Sequence, residues 1–249
     1  MTASAWDPVS KVLEKNYRVL LHDFRGQLLS GFPPEEFGME LHAEDLNNLL
    51  EHLDITKAHV IGVSYGSEVA MIFACRYPQR VKTLTVVAGV SESDGLLSVV
   101  VRSWMLAARR DPELFFWSLV SWAYSPEYLE RNREALEARS KAIVNMKGDY
   151  FEGFARLCAA FLRLHITEEI KNITCPTYVI SADLDIIKPV KFGRLIHEAI
   201  AGSRFEIISG SGHAINIEKP ELLAKKIRDF IEETHTGNLS KREPASSTF

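Results

Sequence analysis

Apolar and polar positions along the 249 residues follow two rhythms that alternate. Short apolar runs bounded by turn residues predict strands over 17–22, 59–63, 81–87, 177–181 and 205–208. The first of these leads into the polar turn Asp23-Phe24-Arg25-Gly26. Leu41, Leu46, Leu49, Leu50 and Leu53 recur at helical spacing over 38–53. Val69, Ala70, Ile72, Phe73 and Ala74 form a second helical pattern, stopped near Tyr77-Pro78 because proline biases its predecessor out of the helical region. A last helix starts at Lys219-Pro220 and carries Leu222, Leu223, Ile227, Phe230 and Ile231. Strands alternating with helices across short loops predict an α/β fold, a mostly parallel sheet flanked by helices.

Residues 94–169 break the alternation. Four helical patterns, over 96–109, 112–122, 126–145 and 149–164, replace any strand-like run. The expected organisation is an α/β core over 1–93 and 170–233, a helical cap over 94–169 inserted after the third predicted strand, and a tail over 234–249. That tail has too little apolar surface to fold and is expected to be disordered.

Composition narrows the function classes. Hydrophobic residues make up 46% and charged residues 25%, an ordinary globular balance. Lys and Arg total 29 against 33 Asp and Glu, a net charge of −4, which leaves no electrostatic footprint for nucleic acid and no polybasic membrane anchor. No apolar run approaches the roughly 18 residues of a membrane span. The opening Met1-Thr2-Ala3-Ser4-Ala5-Trp6-Asp7 lacks the basic-then-apolar order of a signal peptide. Cys75, Cys158 and Cys175 are widely spaced, which argues for reduced thiols in a cytoplasmic protein rather than a disulfide framework or zinc site.

Candidate chemistry centres on Gly62-Val63-Ser64-Tyr65-Gly66, placed between a predicted strand and a predicted helix. A serine at such a tight turn projects its Oγ into a cleft, and the glycines let strand and helix approach. The helix N-terminus offers positive partial charge and a free N–H, here of Tyr65, to a developing oxyanion. A serine hydroxyl is a weak nucleophile and needs a base. Among eight histidines, His213 stands in the glycine-rich loop Ser209-Gly210-Ser211-Gly212-His213, where a side chain can be presented to a cleft. Asp185, after the fourth predicted strand, suits the carboxylate that holds the imidazole; Asp183 and Asp94 are the weaker alternatives, each more readily a turn or cap residue. The chain order Ser, Asp, His is that of the α/β-hydrolase arrangement.

On these motifs the chain resembles soluble esterases and lactonases of the α/β-hydrolase fold, from Trp6 to about Glu233. The resemblance implies a triad of Ser64, Asp185 and His213, an oxyanion N–H from Tyr65, and no metal or cofactor. It implies a serine hydrolase cleaving a small or medium hydrophobic carboxylic ester. Enol-lactonase, carbon–carbon bond hydrolase and perhydrolase chemistry use the same triad, and an inactive or ligand-binding protein is the alternative of another class. Ser64 stands where the resembling haloalkane dehalogenases carry an aspartate, which disfavours dehalogenation. The partner is then a small ester or lactone. Aromatic residues of the expected cap, Trp104, Phe116, Trp117 and Trp122 among them, are the candidate pocket lining.

Two departures from the family pattern bear on the fold. Leu28 stands where a glycine is usual after Asp-x-Arg-Gly. The His-Gly segment that supplies the family's second oxyanion N–H would fall at or before residue 1, so an N-terminally shortened or fragmentary hydrolase is expected. The strand ending at that segment lies, in the family, between those predicted over 17–22 and 59–63. Without it the two either pair directly or leave a gap.

Overall fold

The computed structural model describes residues 3–27, 30–31, 35–146 and 148–236. Leu28 and positions 237–249 of the expected tail lie outside the described residues. Four strands form one parallel sheet in the order β1 (Ala58–Val63), β2 (Val81–Val87), β3 (Thr177–Ala182) and β4 (Arg204–Ile208). β2 and β3 are buried at nearly every residue, as strands covered on both faces must be. Val60, Leu84, Val86 and Val179 face one apolar cluster, while Ile61, Val63, Val87, Tyr178 and Ile180 face a second on the other side.

Helices cover both faces. The second cluster is closed by α1 (Asp7–Leu13) and by the last helix. The first is closed by α2 (Met39–His52) and α3 (Tyr65–Arg76). Between β2 and β3 come α4 (Gly95–Arg110), α5 (Pro112–Ala123), α6 (Pro126–Arg131), α7 (Arg133–Ile143) and α8 (Gly148–Phe161). α9 (Val190–Ala199) joins β3 to β4, and α10 (Ile215–Glu218) precedes α11 (Pro220–His235). α11 continues through positions 234–235, where the tail was expected to begin. Among the described residues no helix is long and apolar enough to cross a membrane.

Three expectations change. Residues 17–22 form no strand: among the described residues no backbone hydrogen bond links them to β1. The helical insertion therefore follows the second strand of the sheet, not the third. The pattern over 126–145 is two helices, broken at Asn132, whose side-chain amide caps the first by donating to the Tyr128 carbonyl at 2.9 Å. The insertion also shares its core with the sheet: Val100, Val101 and Trp104 of α4 and Leu157 and Phe161 of α8 lie in the same cluster as α2 and α3.

Candidate active site

Ser64 leaves β1 and caps α3 with φ 54° and ψ −121°, a strained backbone position for a residue with a Cβ. The strain is sustained by close approach. A Cβ on Gly62 would sit 2.2 Å from the Gly66 carbonyl oxygen, so only glycine fits there. Gly66 itself faces open space, so the expected need for a small residue on both sides of the serine holds at Gly62 alone. Ser67 fastens the turn to the neighbouring strand: its Oγ lies 2.8 Å from the carbonyl oxygens of both Gly62 and Val87.

The structure brings three of the singled-out residues into one line. His213 Nε2 is 2.7 Å from Ser64 Oγ, and His213 Nδ1 is 2.7 Å from Asp185 Oδ2. With Nδ1–H donating to the carboxylate, Nε2 is left to accept from the serine hydroxyl. The second oxygen, Asp185 Oδ1, accepts the N–H groups of Ile187 at 2.9 Å and Lys188 at 2.8 Å. Burial pushes the Asp185 carboxyl up, but the His213 ring and these hydrogen bonds outweigh it and hold it below the usual range. The other two aspartates are occupied elsewhere. Asp183 accepts the Gly210 N–H at 2.8 Å. Asp94 caps α4 by accepting the Leu97 N–H and pairs with Lys191.

The histidine loop is held from two sides. Gly212 gives its N–H to Glu218 at 3.1 Å, and Ser125, at the start of α6, gives its own N–H to the same carboxylate oxygen at 3.0 Å. A Cβ on Gly212 would stand 2.6 Å from the Ser125 nitrogen, so the loop and the insertion touch backbone to backbone.

Next to this hydrogen-bonded line lies a buried ion pair. Both oxygens of Glu68 are 2.9 Å from Lys188 Nζ, and Glu68 also accepts the Val90 N–H at 2.8 Å. Burial raises the Glu68 carboxyl, with Lys188 and the Val90 hydrogen bond pulling the other way. From sequence, Ser67, Glu68 and Lys188 carried no assigned role, and Glu218 stood only as part of the run Glu218-Lys219-Pro220 that follows the histidine loop. The one available signal was a carboxylate at 68 inside an otherwise apolar helical pattern.

Tyr65 offers its backbone N–H at the first turn of α3, while its phenol lies 3.0 Å from His42 Nε2. Burial raises the Tyr65 phenol well above its usual value and lowers His42 to about 4. Ser64 and Tyr65 line a cavity of about 550 Å3. The cap aromatics do not meet there. Trp104 is buried with its indole N–H given to the Ser118 carbonyl at 3.0 Å, and Phe116 packs on Trp117. Trp117 is 38% exposed. Trp122 lines a separate cleft of about 40 Å3 with Asp94 and Ile187. Among the described residues, no group of His, Cys, Asp and Glu is placed to hold a metal.

This fold and hydrogen-bonded site agree with the family comparison: the chain belongs to the α/β hydrolase fold family, whose sequence profile matches residues 2–220. Among curated relatives it is 26% identical, over 236 residues, to RutD of Azorhizobium caulinodans, named as a candidate carbamate hydrolase. That match covers 93% of this chain and 87% of the relative. It is also 26% identical to 3-oxoadipate enol-lactonase 1 of Acinetobacter baylyi, over 91% of this chain and 83% of the relative. Among solved structures, MGS-M2, an α/β hydrolase enzyme from a deep-sea metagenome library, superposes with a TM-score of 0.89 at 26% identity, over 93% of this chain and 86% of that one. The enol-lactonase from Burkholderia xenovorans superposes with a TM-score of 0.84, also at 26% identity, over 93% and 87%.

Proposed function

We propose that this chain is a serine hydrolase of small or medium hydrophobic carboxylic esters. The observation that carries the reading is the unbroken Ser64–His213–Asp185 line. His213 takes the hydroxyl proton as Ser64 Oγ attacks the ester carbonyl, and the Tyr65 N–H stabilises the oxyanion. The carbon–oxygen bond to the alcohol then breaks, with His213 returning the proton to the leaving oxygen. Water, deprotonated by His213, hydrolyses the acyl-enzyme and frees Ser64. Asp185 keeps the imidazole in the tautomer this sequence needs and stabilises the imidazolium.

A second reading, hydrolysis of an enol-lactone, is favoured by the relatives that carry that name. It uses the same steps, with the leaving oxygen tethered to the acyl group. Initial rates on p-nitrophenyl butyrate, an enol-lactone and an aryl carbamate separate the readings. The ester reading expects the butyrate to be turned over fastest, with loss of the rate in Ser64→Ala. An enol-lactone preferred by a hundredfold or more in kcat/KM would replace it with the second reading. Equal rates for parent and Ser64→Ala on all three would overturn both.

A further inference from the structure

Asp185 sits in a loop whose two halves are held differently. Asp183 gives its N–H to Ile208 at 3.1 Å, and Leu184 gives its own to Ser211 at 3.1 Å, so the first half is fixed to the end of β4 and to the histidine loop. The second half, 186–189, runs on to α9 and carries the two N–H groups, of Ile187 and Lys188, that hold Asp185 Oδ1. Among the described residues, those four positions make one hydrogen-bonded link beyond the loop and α9: Lys188 Nζ to both oxygens of Glu68, at 2.9 Å each. Glu68 stands on α3 one helical turn after Ser64. Its Oε1 also accepts the Val90 N–H, just past β2, and the Phe161 ring of α8 lies 5.1 Å from the ammonium. The pair is sealed from water, with the Glu68 side chain 0% exposed and that of Lys188 4%.

Stability alone does not call for such a pair. Taking both charges out of water offsets much of their attraction, and well-packed apolar side chains of similar volume serve a core as well or better. What apolar contacts lack is direction. Two hydrogen bonds to one carboxylate, itself fixed by Val90, set where the Lys188 side chain ends. Lys188 thus reaches both sides of the site, its ammonium to the helix that starts at the serine and its amide to the carboxylate of Asp185. We propose that Lys188 and Glu68 are positioning residues, which hold Asp185, and through it His213, in line with Ser64. Neither hydrogen-bonds to Ser64 or to His213, so both act through Asp185. Without the link, the second half of the loop shifts away from α3. Asp185 Oδ1 follows the two N–H groups it accepts, Oδ2 leaves its 2.7 Å contact with His213 Nδ1, and the imidazole loses its aim. Proton transfer is sensitive to that shift and ground-state binding of the ester is not, so the loss falls on kcat rather than KM. The effect on rate rests on the serine hydrolase reading; the effect on the Asp185–His213 hydrogen bond rests on the geometry alone.

The test compares the full-length parent with three variants. Glu68→Gln combined with Lys188→Met fills the same space with an uncharged pair and strands no buried charge. Glu68→Asp keeps both charges but shortens the link by one methylene, and it decides the question if the double variant does not fold. Leu223→Ala opens a cavity under α11, away from the Ser64–His213–Asp185 line, and controls for general loss of stability. Two readouts are taken: kcat and KM on p-nitrophenyl butyrate, and the low-field proton resonance of His213 Nδ1–H in the resting protein, assigned by its loss in His213→Ala. The double variant is expected to show kcat lower by about ten- to a hundredfold with KM little changed, and a His213 proton broadened or moved upfield. Glu68→Asp is expected to show both changes in smaller degree, and Leu223→Ala neither. Parent-like kcat with an unmoved proton in the double variant or in Glu68→Asp would reduce the pair to packing and overturn the proposal. A loss in Leu223→Ala as large as in the double variant would assign the effect to general loosening and also overturn it. A parent that turns over no ester would end the serine hydrolase reading, and the proton resonance would still decide the positioning.

Discussion

Asp185 divides its work between two oxygens, one on His213 and one on the backbone of its own loop. Asp185→Asn keeps the size of the side chain but offers an amide where His213 Nδ1–H needs an acceptor. A fall in kcat of about ten-thousand-fold with little change in melting temperature is expected; a loss below tenfold would remove Asp185 from the mechanism. Glu68→Gln leaves the Lys188 ammonium, 4% exposed, without its counter-charge. The expected cost is about 3–5 kcal/mol in urea denaturation. Replacing the pair together, Glu68→Gln with Lys188→Met, should recover part of that loss; no recovery would mean the pair does not act as a unit. His42 has a pKa lowered to about 4 by burial, against roughly 6.5 in an unfolded chain. The unfolded state therefore binds the proton that the fold rejects, and the stability held above pH 6.5 is lost as the pH falls through 6.5 toward 4. His42→Phe should lose less stability than the parent between pH 7 and 5; an equal loss would contradict the linkage.

At the scale of elements, the elbow glycines separate cleanly. Gly62→Ala drives a Cβ to 2.2 Å from the Gly66 carbonyl, so it should destabilise the fold and disrupt Ser64 together. Gly66→Ala meets nothing within 4 Å and lies in α3. It should stabilise by up to about 1 kcal/mol through helix propensity, read as a higher denaturation midpoint. A loss of stability at Gly66→Ala as large as at Gly62→Ala would contradict this geometry. The elements themselves were legible to different degrees. β1 to β4 were readable because apolar runs between turn residues fill both faces of a parallel sheet. The segment 17–22 carries the same signal yet forms no strand, since strand character in a sequence does not supply a partner edge. α1 went unread because seven residues give too few turns for a periodic pattern, whereas α9, with Phe192 and Ile196 on one buried face, was readable from its amphipathic pattern and was missed.

At the scale of the molecule, the serine and histidine were legible because each sits in a glycine-bearing loop after a strand, where local chemistry announces itself. Asp185 could be narrowed only with Asp183 and Asp94 still in view, because the choice among them is made by tertiary hydrogen bonds. The aromatics expected to line the pocket are spent on packing instead: Trp104 joins the core that the insertion shares with the sheet, and Phe116 packs with Val120, Tyr124 and Ala214. Glu68 and Lys188 lie 120 positions apart, and a contact over that separation has no sequence signature. The insertion, the histidine loop and the sheet meet at Glu218 and Ser125. Glu218→Ala should therefore lower turnover by loosening the loop that carries His213, with KM less affected than kcat; an unchanged kcat would free the histidine from that support.

The chemistry of the site turns on Ser64 being a nucleophile activated by His213. Treatment with a fluorophosphonate probe, followed by mass spectrometry of the peptides, tests it most directly. One adduct is expected, on Ser64, formed at least a hundredfold more slowly in His213→Ala and not at all after unfolding in urea. No adduct on the folded protein, or one on another serine, would contradict it.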